Sequence, residues 1–201
     1  MSGNEDILCN LIEYPNLDIL HKIYYSNLMS SGPDAIEFIR KKGKTSRPHL
    51  AQYILRNVQQ STDDGTCLQV RQAELRSTMP STKIGDLPTN NPSYLTKANR
   101  YVYTIIDRGL STIFDGISKA DIINRNDIFW DNLKSHTPGE AIFVADPKGT
   151  AEDDSVLLIV VLDGFKETSY ILYLDAKTMR ELGRAECGWP IGLGFHGQHV
   201  G

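Results

Sequence analysis

The sequence predicts an all-β chain with one short helical segment. Three observations carry this. Strand-length apolar runs succeed one another through the last third of the chain, divided by turn residues. A 3.6-residue apolar rhythm occurs once, near the amino terminus. The longest apolar run, VLLIVVL at 156–162, is of strand length and far below the eighteen or so residues of a membrane-spanning helix.

Taken in order, LIEYPNLDILHKIYYSNLM (11–29) carries the helical rhythm, with Leu17, Leu20, Tyr24 and Leu28 at three- and four-residue steps. Pro15 suits a helix start and Ser30-Ser31-Gly32-Pro33 a stop. A further short turn at Asp34–Lys41 extends the helical segment to 11–42. His21 reads as a packing or surface histidine, because no second ligand type stands at helical spacing from it. From Pro48 onward, HLAQYILRNV and CLQVRQAEL are short mixed runs around STDDG (61–65), where Asp-Gly signals a turn between strands. Residues 77–99, rich in Pro, Asn, Ser and Thr, read as a long ordered loop. YVYTIID (101–107) reads as a strand, and IFDGISKADIIN as a hairpin-like pair around Asp115-Gly116.

AIFVAD, SVLLIVVLDG, TSYILYLDA and ELGRAEC then form four strands, separated by DPKGTAEDD, DGFKET and AKTMR. Successive short strands with tight turns make an antiparallel meander, the local signature of a sandwich, a barrel or a propeller blade. Residues 156–162 are apolar on both faces and predict a central strand covered on both sides. No internal repeat is sharp enough to choose among these architectures.

Composition narrows the function classes. The chain has 201 residues, 40% hydrophobic and 23% charged, with net charge −4. Its one basic run, RKKGK at 40–44, reads as a solvated helix end, so nucleic acid is excluded as a main partner. The start, MSGNEDILCN, is acidic where a secretory signal is basic. Cys9, Cys67 and Cys187 are scattered and form no CxxC pair, as expected of reduced thiols in the cytoplasm.

No nucleophile elbow, dinucleotide loop, P-loop or HExxH motif occurs. The candidate chemistry lies in GFHGQHVG (194–201). Gly194 and Gly197 permit a bend at His196, which makes it a better ligand candidate than His199. The local sequence leaves two readings open, an imidazole satisfied by a hydrogen bond and one bound to a metal. Asp86 in GDLP and Glu140 in PGEAIFV stand at strand mouths, either as solvated ends or as carboxylates orienting an imidazole. Glu152-Asp153-Asp154 reads as a turn cluster, with calcium the weaker alternative. Phe195 and Trp189 read as core packing.

The stretch GEAIFVADPKGTAEDDSVLLIVVLDG, then YILYLDAKTMRELGRAE, then GFHG, resembles the carboxy-terminal end of the carotenoid cleavage oxygenases. The order of an early LDILHKIYYSNL helix, GDLPTNNPSY and a YVY strand fits too, so the resemblance covers essentially all of 1–201; the opening LIEYPNLDILHKIYYSNL is most similar to the fungal branch.

The resemblance implies blades of a seven-bladed β-propeller, with the 11–42 segment as part of a helical cap. It implies one iron(II) held by four histidines from different blades. With O2, that centre cleaves a double bond of a carotenoid, apocarotenoid or stilbene-like polyene into two carbonyl fragments. His196 matches the last iron ligand, Glu140 a carboxylate orienting a ligand histidine, and Asp86 a position where the family more often has glutamate. Asn90 stands at a usually apolar position, and Ser155 at one that is often glycine. The other three ligands are expected upstream, and His21, His49 and His136 lie outside those motifs. The expectation is therefore a carboxy-terminal portion of such a dioxygenase, inactive alone. The alternative is a non-enzymatic truncated remnant, or a β-rich binding module, without catalytic iron. An apolar substrate further implies peripheral contact with a membrane.

Overall fold

The computed structural model describes residues 5–29, 32–34, 36–38, 41, 46–58, 72–80, 84–110, 113–130, 134–194, 196, 197 and 199. Among them, three antiparallel sheets follow one another along the chain. The first contains β1 (Glu5–Glu13), β2 (His49–Val58) and β3 (Glu74–Met79), in that order. Helices α1 (Asp18–Lys22) and α2 (Tyr25–Leu28) lie between β1 and β2. The second sheet runs β4 (Asp86–Thr89), β5 (Tyr101–Ile106), β6 (Gly116–Asp121), β7 (Asn126–Trp130). The third contains β8 (His136–Pro138), β9 (Ile142–Ala145), β10 (Ser155–Asp163), β11 (Thr168–Asp175) and β12 (Glu181–Glu186), with β8 and β9 both pairing with β10. Each strand pairs with a near neighbour in sequence, so each sheet is a meander, the unit from which propeller blades are built.

The second sheet lies between the other two. Tyr103, Ile105 and Ile117 join Phe143, Leu157, Ile159, Leu172 and Leu174 in one core. Val102 and Ala120, pointing the other way, join Leu50, Met79 and Ile84 in a second core. Every residue of β6 is consequently buried. In β10, by contrast, Leu157, Ile159 and Val161 are fully buried while Val156, Leu158, Val160 and Leu162 are half-buried. The strand is central in its sheet, as expected. The two-sided cover predicted for 156–162 belongs instead to β5 and β6, because those strands have a sheet on either side.

Other expectations need correction. Residues 11–13 belong to β1, and the helical rhythm resolves into two short helices. Leu17, Leu20 and Tyr24 are exposed, and the residue α1 buries is Lys22, 3% exposed and bonded to Asp107 at 2.8 Å. A buried ammonium with a carboxylate partner thus took the inner face that apolar periodicity assigned to leucine. Within 77–99 the structure has the end of β3, all of β4 and a 3-10 turn at Pro92–Tyr94. Asp115-Gly116 is not a turn tip: Gly116 opens β6, and the Asp115 N–H donates to the Ile106 carbonyl at 2.9 Å. The Asp64-Gly65 turn lies outside the described residues.

Polar groups fasten the second sheet to the third. Lys119 of β6 donates to Asp153 at 2.6 Å and to the Lys177 carbonyl at 3.0 Å, with both charged side chains buried. The Glu152 carboxylate accepts the N–H groups of Arg100 (2.8 Å) and Tyr101 (2.9 Å) at the head of β5. Asp154 accepts those of Thr150 (3.0 Å) and Ala151 (2.8 Å). The acidic run is a turn cluster with each carboxylate spent on a protein donor.

Candidate functional site

Glu140 owes its position to a break in a strand. β8 meets β10 at Pro138↔Val161 and β9 resumes at Ile142↔Leu158. Between them the Gly139 N–H still donates to the Val160 carbonyl at 2.8 Å, while Glu140 and Ala141 have no β10 partner. Ala141 turns into the core, and Glu140 turns towards the carboxy-terminal segment.

That segment passes close above the break. One Glu140 carboxylate oxygen accepts the Gly197 N–H at 3.0 Å, and the other lies 3.3 Å from His196 Nδ1. The segment packs closely there: a Cβ at Gly197 would lie 2.6 Å from Ile142 Cδ1, which would have to move aside. A carboxylate only accepts, so the contact assigns the proton of a neutral imidazole to Nδ1 and leaves the Nε2 lone pair free. The His196 side chain is 82% exposed and Glu140 only 13%. The carboxylate thus orients a largely exposed imidazole, as carboxylates also do for imidazoles that bind metals.

Asp86 has a different partner. It opens β4, where Leu87 adopts φ +46 and shifts the register against β5. Gly85 before it has no room for a side chain, because a Cβ would lie 1.7 Å from the Ile105 carbonyl oxygen. One Asp86 oxygen accepts the Leu87 N–H at 2.8 Å, and the other accepts the Tyr14 hydroxyl at 2.5 Å. Burial, then the Asp86 carboxylate, pushes the Tyr14 phenol far above its ordinary value. The structure therefore brings Glu140 and His196 together, while Asp86 is held by Tyr14. Sequence reading missed Tyr14, whose only signal was a polar aromatic beside Pro15 in a segment read as helix.

The remaining histidines have protein partners or stand in solvent. His49 Nε2 lies 3.1 Å from Glu13, and His21 Nδ1 lies 3.8 Å from Asp18. His136 is buried, with Nδ1 2.9 Å from the Tyr170 hydroxyl and Nε2 3.7 Å from Asp163. His199 is exposed. Trp189 is 67% exposed rather than core, and its backbone carbonyl accepts the Ser169 N–H at 3.2 Å. Phe195 lies outside the described residues. Among the described residues, no three His, Cys, Asp or Glu side chains group as a metal site. The donor set thus fits one imidazole arm of a metal centre and does not fit a complete one.

Comparison with known proteins gives one consistent answer. The family model described as retinal pigment epithelial membrane protein matches residues 2–201. A carotenoid dioxygenase of Neurospora crassa is 40% identical over 204 residues, covering 99% of this chain and 33% of that protein. A torulene dioxygenase of Fusarium fujikuroi is 40% identical over 198 residues, covering 97% and 34%. The chain spans about one third of the length of these relatives. Among solved structures, an ACO/RPE65 chimera superposes with a TM-score of 0.72 at 18% identity, covering 98% of this chain and 36% of that one. A Synechocystis apocarotenoid oxygenase variant gives 0.71 at 18% identity, covering 96% and 36%, and a cobalt-substituted form gives 0.60 at 19%, covering 76% and 30%. The meanders described above are the blades of that β-propeller fold.

Proposed function

This chain belongs to the retinal pigment epithelial membrane protein family of carotenoid oxygenases, and from that membership we propose that it is the carboxy-terminal part of an iron(II)-dependent dioxygenase. The substrate is a carotenoid or apocarotenoid polyene. One double bond is cleaved, and the two atoms of O2 end in two carbonyl products. The observation that carries the reading is the Glu140–His196 contact, which leaves one imidazole nitrogen free to bind a metal.

Iron(II), when bound, supplies the activation of O2, and imidazole is a suitable ligand for it. The residues of this chain have narrower tasks. His196 offers Nε2. Glu140 fixes the tautomer and the ring plane, and its hold on the Gly197 N–H pins the backbone beside the ligand. Asp86 is a second carboxylate on the first strand of its blade, as Glu140 is on the interrupted first strand of the next. Its role toward another imidazole is part of the proposal, and its bond to Tyr14 is what the structure places there. The same reading locates the protein in the cytoplasm with peripheral contact to a membrane that stores apolar substrate. The exposed Leu17, Tyr24, Tyr25 and Met29 support that contact. Among the described residues no helix is long and apolar enough to cross a membrane.

The test is iron content and O2-dependent carbonyl formation from a carotenoid, measured on the native gene product. His196→Ala is expected to lose the iron. Glu140→Gln is expected to weaken retention or activity about 10- to 100-fold. Full iron occupancy in the His196→Ala protein would remove His196 from the centre. A second reading, in which the chain works without catalytic iron, is favoured by the lack of any three-ligand group among the described residues. Stoichiometric iron in the 201-residue chain by itself would overturn it.

A further inference from the structure

A small cavity of about 20 Å³ lies where α1, residues 46–48, β4 and β5 meet. Tyr14, Lys22, Ser46, Arg47, Asp86 and Asp107 supply its polar lining. Ser46 is 3% exposed, and its hydroxyl has no protein hydrogen-bond partner among the described residues. A buried hydroxyl left unpaired loses its hydration without compensation, which is why buried polar atoms almost always find a partner. We propose that this cavity is a binding site for one structural water molecule that bridges the Ser46 hydroxyl to the Lys22–Asp107 and Tyr14–Asp86 pairs.

Three features select water. The space is sufficient for one water. The two cations of the lining, Lys22 and Arg47, balance the two carboxylates, Asp86 and Asp107, so neither an anion nor a cation is favoured. Donors and acceptors are both left over. Lys22 gives one of its three ammonium protons to Asp107, and each carboxylate keeps lone pairs beyond the bonds it makes. A molecule that donates twice and accepts twice is matched to that surplus.

The water acts as a joint. Tyr14 and Lys22 belong to the segment that follows β1, Ser46 precedes β2, and Asp86 opens β4. A bridge among them ties the helical segment to the second sheet and to the Asp86 carboxylate. This inference stands on the cavity and the orphan hydroxyl, and does not depend on iron.

The sign of one thermal shift tests it. Where the hydroxyl binds water, Ser46→Ala removes a partner from a buried water and lowers Tm by about 2–4 °C. Where the hydroxyl is truly unpaired, the same change removes a desolvated polar group and raises Tm. A crystal structure of the unaltered protein is the second measurement. Density for one water within hydrogen-bond distance of Ser46 Oγ and of Lys22, Asp86 or Asp107 is expected. A dry cavity, or a rise in Tm, overturns the proposal.

Discussion

His136 shows what burial does to one residue. Its ring is enclosed between Tyr170 and Asp163, with Arg184 4.6 Å over the Tyr170 ring and Lys166 and Glu186 nearby. Desolvation lowers its pKa from 6.5; Asp163 opposes the change, while Arg184 and Lys166 add to it. The folded state therefore prefers the neutral ring. The stabilisation from that preference is complete above pH 6.5 and is lost as the pH falls below it. Thermal unfolding between pH 8 and pH 5 is expected to show Tm falling on the acid side, with a shallower fall in His136→Gln. An unchanged acid slope in that variant would assign the titration to another group. At this scale Glu140 and His196 stand out in the sequence, because glycines flanking a histidine and an acid entering an apolar strand are both local signals, and the structure puts the two side chains 3.3 Å apart. The partners of Asp86, Tyr14 and His136 were not legible in the sequence. Their partners lie 72 residues away for Tyr14–Asp86 and 34 for His136–Tyr170, and no local pattern reports such a pairing.

At the scale of the element, the second and third sheets are joined by Lys119 and Asp153, both buried and 2.6 Å apart. Removing one partner of a buried pair strands a charge, which typically costs about 3–5 kcal/mol. Asp153→Ala is thus expected to destabilise the protein by about that amount in denaturant unfolding. Replacing both residues with apolar side chains of similar volume, Lys119→Met with Asp153→Leu, is expected to recover most of the loss. If the double variant is as unstable as the single one, the pair contributes through geometry rather than through charge compensation. Strands of the last third were legible because their apolar runs are bounded by Asp, Gly and Lys turns, and all four appear where expected. β1 and β4 were not. β1 lacks clean alternation, and β4 contains Pro88 and a left-handed Leu87, features that read as loop in isolation.

For the whole molecule, the outer surfaces matter most. The first sheet exposes Ile7, Leu8, Leu11, Val58 and Leu75, and the helices expose Leu17, Tyr24, Tyr25 and Met29. Apolar area on that scale, beside the outer edges of β1 and β3, which pair with no further strand among the described residues, favours association. The 201-residue chain made alone is expected to form soft oligomers or inclusion bodies. A sharply melting monomer in sedimentation and calorimetry would refute this. By itself the sequence determined the β class, the meander of the last third and Glu140 and His196 as separate candidates, since periodicity, turn residues and glycine-flanked motifs are all written within a few neighbouring positions. Only the tertiary structure decided which sheet is covered on both faces, that Lys22 rather than leucine faces inward, and that Asp86 is held by Tyr14. Those outcomes depend on which distant side chain reaches a buried charge, and desolvation makes that choice after the sheets have stacked.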